Sequence, residues 1–117
     1  MKNYTYYHNP RCSKSREGLA LLEAKKVSLT VKLYLTEKIT AKEIEELFLA
    51  SGLEPLDGLI RTKEAAFKEL ELKDKKMSVK QWAKVVAENP VLLERPVLTN
   101  GKKAIVGRPP ENMLALL

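Results

Sequence analysis

The first run of the chain, Tyr4-Thr5-Tyr6-Tyr7-His8, is aromatic and β-favouring, and it ends at the break Asn9-Pro10. From Ser13 onward the composition turns helix-compatible. Leu19 and Leu22 are spaced to share a face, which predicts a helix from about Ser13 to Ala24 or Lys26. Thr30-Val31-Lys32-Leu33-Tyr34-Leu35 then alternates in the manner of a second strand. Strand, helix and strand in so short a stretch imply a parallel pair with a right-handed crossover.

Helical patterns follow. Thr40-Ala41-Lys42-Glu43 has the spacing of a capping box, and Ile44, Leu47 and Phe48 recur at helical intervals until Gly52. Glu54-Pro55-Leu56-Asp57-Gly58 is turn-like. Leu59-Ile60-Arg61-Thr62-Lys63-Glu64 reopens a helical pattern through Phe67 and Leu70, and Ser78 caps a further helix carrying Trp82, Val85 and Val86 that closes at Asn89-Pro90. Beyond it, Pro96-Val97-Leu98-Thr99 and Lys103-Ala104-Ile105-Val106 read as short strands joined by the hairpin signal Asn100-Gly101. Pro109-Pro110 supplies a proline for the first turn of a last helix ending near Leu117. This order predicts one α/β domain over residues 1–117. It is thioredoxin-like, a four-stranded mixed sheet with a helical insertion at about 40–89 between the second and third strands.

Composition narrows the function. A single cysteine excludes an internal disulfide, and no stretch reads as a signal peptide or membrane span, so a reducing cytoplasm is expected and a membrane partner is not. The net charge of +6 suits either nucleic acid or a small anion. The lysines are dispersed, and the densest cluster, Lys73-Asp74-Lys75-Lys76, contains an acid and no stacking aromatic, so it reads as a solvated loop. A small oxyanion substrate is expected and nucleic acid is not. One histidine and one cysteine cannot supply the usual four zinc ligands, so no metal is expected.

Cys12 falls where strand passes to helix. A lone cysteine is more often an inert small hydrophobe, but Cys12 is flanked by Arg11 and Ser13, whose burial would desolvate a charge. The first N–H groups of a helix have no internal acceptor and the macrodipole is positive there, so a thiolate is favoured. The same groups hold oxyanions. Arg11, Lys14 and Arg16 add cations, and His8 lies close by on the preceding strand; His8, Arg11 and Ser15 are the residues expected to tune the thiol. Three distant arginines are set apart by context: Arg61 opening a helix, Arg95 before Pro96, and Arg108 before Pro109-Pro110. Their planar, paired donors suit a multiply charged oxyanion. Gly18 stands where a cysteine phosphatase loop needs arginine. Asn9 and Ser15 occupy both possible Cys-x-x-Cys partner positions, so any redox cycle needs a thiol from another molecule.

Four blocks together resemble the arsenate reductase (ArsC) family of the glutaredoxin-linked type: Tyr7-His8-Asn9-Pro10-Arg11-Cys12-Ser13-Lys14-Ser15-Arg16, Leu59-Ile60-Arg61, Asn89-Pro90-Val91-Leu92 with Glu94-Arg95-Pro96, and Gly107-Arg108-Pro109-Pro110-Glu111. The resemblance spans the chain and points to the short arsenate reductase-like members. It implies a thioredoxin-like fold in which the Cys12 thiolate attacks arsenate. Glutathione, as co-substrate, then displaces the adduct, and glutaredoxin reduces the mixed species; no cofactor is held. It implies oxyanion binding by Arg61, Arg95 and Arg108, help from His8 in lowering the thiol pKa, and a cis-proline at Pro96. Cys12 is followed by Ser-Lys-Ser rather than Gly-Thr-Ser, which leaves another oxyanion or a glutathionylated thiol as substrate. A general glutathione-dependent thiol transferase is one alternative. Another is a regulatory binding module like the Spx-type regulators, many of which carry the Cys-x-x-Cys that this chain lacks.

Overall fold

In the computed structural model, which describes residues 4–117, the first strand divides the hydrophobic residues between two cores. Strand β1 (Tyr4–Tyr7) turns Tyr4 and Tyr6 to one face and Tyr7 to the other, as a two-residue period requires. It lies inside a sheet of order β2-β1-β3-β4, with β2 (Leu29–Lys32), β3 (Val97–Thr99) and β4 (Ala104–Val106). β1 is parallel to β2, with Tyr6 opposite Val31, and antiparallel to β3, with Tyr6 opposite Leu98. β3 and β4 form an antiparallel hairpin around Asn100 and Gly101, the latter at φ +91°.

Helix α1 (Ser13–Ala24) joins the parallel pair. It covers one face, where Leu22 packs with Tyr4, Tyr6, Leu98, Met113 and Leu116. Gly18 permits that approach, since a Cβ there would collide with the Tyr6 hydroxyl and lie 2.8 Å from Met113 Cε. The opposite face puts Tyr7 and Val97 under helices α2 (Ala41–Ser51), α3 (Ala65–Glu69) and α4 (Val79–Glu88), through Ile44, Phe48, Trp82 and Val86. Burying each such side chain contributes about 1.5–3 kcal/mol. The sheet is thioredoxin-like, and its helical block lies between β2 and β3. Among the described residues no helix is long and apolar enough to cross a membrane.

Three stretches differ from the pattern-based expectation. The second strand stops at Lys32 because the Glu37 carboxylate accepts the Leu33 N–H at 2.7 Å and the Thr36 and Glu37 amides fold back onto the Leu33 carbonyl. Leu59-Ile60-Arg61 opens no helix. Ile60 bridges Leu93 in antiparallel fashion, Arg61 N–H donates to Leu92 O at 2.7 Å, and Glu94 N–H donates to Leu59 O at 2.8 Å. Only Ala65–Glu69 remains helical there. The last segment, Pro110–Leu116, is a 3-10 helix: Pro110, Met113 and Leu116 stand three apart, which places all three on one buried side.

Glu43 ties the helical block to the sheet. It completes the capping box with Thr40, accepts the Tyr7 hydroxyl at 2.7 Å, and pairs with Lys32 Nζ at 2.7 Å. Burial acts to raise its pKa, but Lys32 and Tyr7 outweigh burial and hold it below the ordinary 4.5. The stabilisation of the ionised form is therefore full above the unfolded-state value and lost as pH falls through the lower folded value. Glu43→Gln is expected to cost about 1–2 kcal/mol at neutral pH. In urea unfolding, that deficit should shrink as the solution is acidified; a deficit independent of pH would remove the charge argument.

Candidate active site

The chain leaves β1 through His8, whose N–H donates to Lys32 O at 2.9 Å, and turns over Asn9 and Pro10. Cys12 N–H closes that turn on Asn9 O at 3.0 Å, and Cys12 O then accepts Arg16 N–H at 3.0 Å, the first bond of α1. Cys12 is thus the N-cap residue, with extended φ −94° and ψ 123°. Ser15 locks the junction from below. Fully buried, its hydroxyl accepts Asn9 N–H at 3.0 Å and meets His8 Nδ1 at 2.7 Å, while its carbonyl accepts the Tyr6 hydroxyl at 2.7 Å.

Cys12 is recessed at 9% exposure but belongs to neither hydrophobic cluster. Burial pushes its thiol pKa up. The backbone N–H of Ser15, then Arg95 by charge and hydrogen bonding, and the N–H of Lys14 outweigh that, and the net shift is downward. These amides favour the anion, although neither forms a full capping bond to the sulfur. Arg108 Nη2 approaches Sγ at 3.7 Å, a long contact even for sulfur, so the stronger electrostatic influence is that of Arg95.

Arg61, Arg95 and Arg108 converge on one cleft of about 410 Å³, lined also by Ile60, Thr62, Lys63, Glu64 and Glu94. Arg61 arrives because residues 59–61 pair with 92–94 instead of coiling. Its Nη1 pairs with Glu64 at 3.0 Å. Arg95 and Arg108 precede prolines 96 and 109, both peptide bonds being cis, and Gly107 N–H donates to Pro96 O at 2.8 Å. Arg95 Nε is buried without a hydrogen-bond partner among the described residues. Arg108 both lines the cleft and reaches the sulfur, joining the two.

Of the expected tuning residues, His8 meets Ser15 and Arg11 lies at the surface. Burial first and Arg16 second lower the His8 pKa, and its Nδ1 faces the Ser15 hydroxyl. Arg11 is exposed and lines a separate cleft with Leu33 and Leu35. Its backbone N–H donates to Asn9 Oδ1 at 3.0 Å. Sequence reasoning missed Glu64 and Glu94 in the cleft. It also missed Tyr34, 1% exposed, whose hydroxyl burial pushes up to about 12 against the pull of Arg95 and Arg61.

A thioredoxin-like sheet with one recessed cysteine capping its first helix, beside a cleft lined by arginines from three separate segments, defines the class: single-cysteine α/β proteins of the thioredoxin type. Within that class the chain belongs to the ArsC family, whose model matches residues 7–116. It is 40% identical over 111 residues to an arsenate reductase of Haemophilus influenzae, covering 95% of this chain and 96% of that one. A solved arsenate reductase from Vibrio cholerae superposes with a TM-score of 0.91 at 40% identity, covering 99% and 98% of the two chains. More distantly, the regulatory protein MgsR of Bacillus subtilis is 30% identical over 96% of this chain and 88% of its own length.

Alkylation of Cys12 by iodoacetamide, followed against pH, is expected to rise at lower pH than for an unperturbed cysteine, because the thiolate is the reacting form. Arg95→Ala should move the rise to higher pH and Arg11→Ala should leave it in place. Coincident profiles for wild type and Arg95→Ala would refute the assigned cause.

Proposed function

We propose that the protein is an oxidoreductase that reduces arsenate or a closely related oxyanion through the Cys12 thiolate, with glutathione and glutaredoxin as external reductants in a reducing cytoplasm. The observation that carries this reading is the meeting of Arg108 with Cys12 Sγ at 3.7 Å beside a cleft shared by Arg61 and Arg95. Family membership supports the substrate class. The guanidinium groups and the orphaned Arg95 Nε would receive the anion oxygens. The N–H groups at the start of α1 would hold the sulfur as thiolate.

In the proposed cycle the thiolate displaces one oxygen of As(V), which leaves as water after protonation, and an S–As bond forms. Glutathione thiolate attacks the Cys12 sulfur and the S–As bond breaks with its electron pair left on arsenic. Arsenite departs as As(III), and Cys12 is left in a mixed disulfide. A glutaredoxin thiol then takes the glutathionyl group and restores Cys12. Two thiols are oxidised to one disulfide for each two-electron reduction. The single cysteine makes the external thiols obligatory in this scheme.

A second reading, a regulatory binding module, is favoured by the kinship with MgsR. A coupled assay with NADPH, glutathione, glutaredoxin and arsenate separates the two. Wild type should consume NADPH, Cys12→Ser should fall to background, and Arg61→Ala should lose activity by about tenfold or more. No turnover by wild type, or equal turnover by Cys12→Ser, would remove the enzyme reading. Turnover of small mixed disulfides with indifference to arsenate would redirect it to a general thiol transferase.

A further inference from the structure

The cleft that gathers three arginines also holds two carboxylates. Glu64 lies three residues from Arg61 and pairs with it locally. Glu94 reaches further. Its Oε1 accepts the backbone N–H of Arg95 at 3.1 Å, lies 3.2 Å from Arg108 Nε, and is 3.8 Å from Arg95 Nη1. Arg108 Nε also donates to the Arg95 carbonyl, at 2.8 Å. A guanidinium is a rigid planar fork, so anchoring its Nε edge fixes where the Nη atoms fall. In Arg108 the unanchored end presents Nη2 to Cys12 Sγ.

We infer that Glu94 is the positioning residue of the cleft: its side-chain oxygen holds the Arg95 N–H, and so the Arg95 carbonyl that takes the one Nε hydrogen of Arg108, while its charge offsets part of the attraction that Arg95 and Arg108 exert on a bound anion. The inference deepens the oxyanion reading and rests on it for the identity of the ligand. The two roles are separable by chemistry. Glutamine keeps the oxygen that accepts the Arg95 N–H and nearly the shape of glutamate but carries no charge, whereas alanine removes that acceptor as well. A carboxylate within 4 Å of both guanidinium groups competes with any anion for them, on the scale of a partly exposed ion pair. Relief of that competition strengthens ground-state binding, which lowers KM without raising kcat.

The groups that act on the sulfur are Arg95 and Arg108, which flank the β3–β4 hairpin, and the Lys14 and Ser15 amides of α1, while the buried phenols of Tyr6 and Tyr34 respond to its charge. Substitution at Glu94 leaves all of them in the chain.

The test is the pH profile of Cys12 alkylation, with and without added sulfate or arsenate, in wild type, Glu94→Gln and Glu94→Ala. Glu94→Gln is expected to move the profile to lower pH and to reduce the half-protecting sulfate concentration about threefold. Its KM for arsenate should fall with kcat no higher. Glu94→Ala should lose this gain and show protection weaker than that of Glu94→Gln, because Arg108 is no longer aimed. Coincident profiles and protection in all three proteins overturn the inference, and Glu94→Ala matching Glu94→Gln overturns the positioning role. Absence of protection in wild type strikes the oxyanion reading instead. The alkylation profiles then still decide on Glu94: a downward move in Glu94→Gln supports its charge-setting role, and coincidence refutes it.

Discussion

A sulfur withdrawn from water keeps a negative charge only where fixed positive ends replace the lost hydration, and this constraint organises the whole site. Cys12 is recessed at the start of α1, where the Ser15 and Lys14 amides of the helix and the more distant Arg95 outweigh the cost of its burial. The junction is held by short-range bonds: Tyr6 to the Ser15 carbonyl, His8 and Asn9 to the Ser15 hydroxyl, and Cys12 to Asn9. His8 takes part in this scheme through its contact with the Ser15 hydroxyl, and burial disfavours its charged form.

The arginine cleft answers a second constraint, that several like charges brought together must be spaced and oriented or they repel. The hairpin β3–β4 presents Arg95 and Arg108 from its two ends, and the pairing of residues 59–61 with 92–94 adds Arg61. Glu64 pairs with Arg61, and Glu94 lies within 4 Å of both Arg95 and Arg108, so each guanidinium has a carboxylate beside it. Formal charge alone, +6 over the chain, conveys none of this arrangement.

What was legible in the amino-acid order was what neighbouring residues decide. The aromatic strand into the Cys12 loop, the capping boxes at Thr40 and Ser78, the left-handed Gly52 and the Asn100-Gly101 hairpin all follow from local patterns. The extended course of Leu59-Ile60-Arg61 was not, because two apolar residues followed by polar ones fit a helix as well as a strand. The partner that decides the matter, Leu93, lies more than thirty positions away. Glu94 escaped for a related reason, since the direction of a charged side chain beside arginine is set by tertiary contacts. The 3-10 course of Pro110–Leu116 was written in its three-residue apolar spacing, which a reading tuned to 3.6 residues per turn passes over.

The ladder fragment between residues 59–61 and 92–94 has a mechanical corollary. Two of the guanidinium groups flank the sheet hairpin and the third comes from the inserted helical block, so under the proposed reaction the anion would be gripped as by a caliper whose jaws belong to separate parts of the fold. The cysteine sulfur sits at the sheet end of the cleft's neighbourhood, at the start of α1. Under the proposed reaction, sequence changes in the inserted block would therefore alter the gap between the jaws, and with it the size of oxyanion admitted, without touching the cysteine.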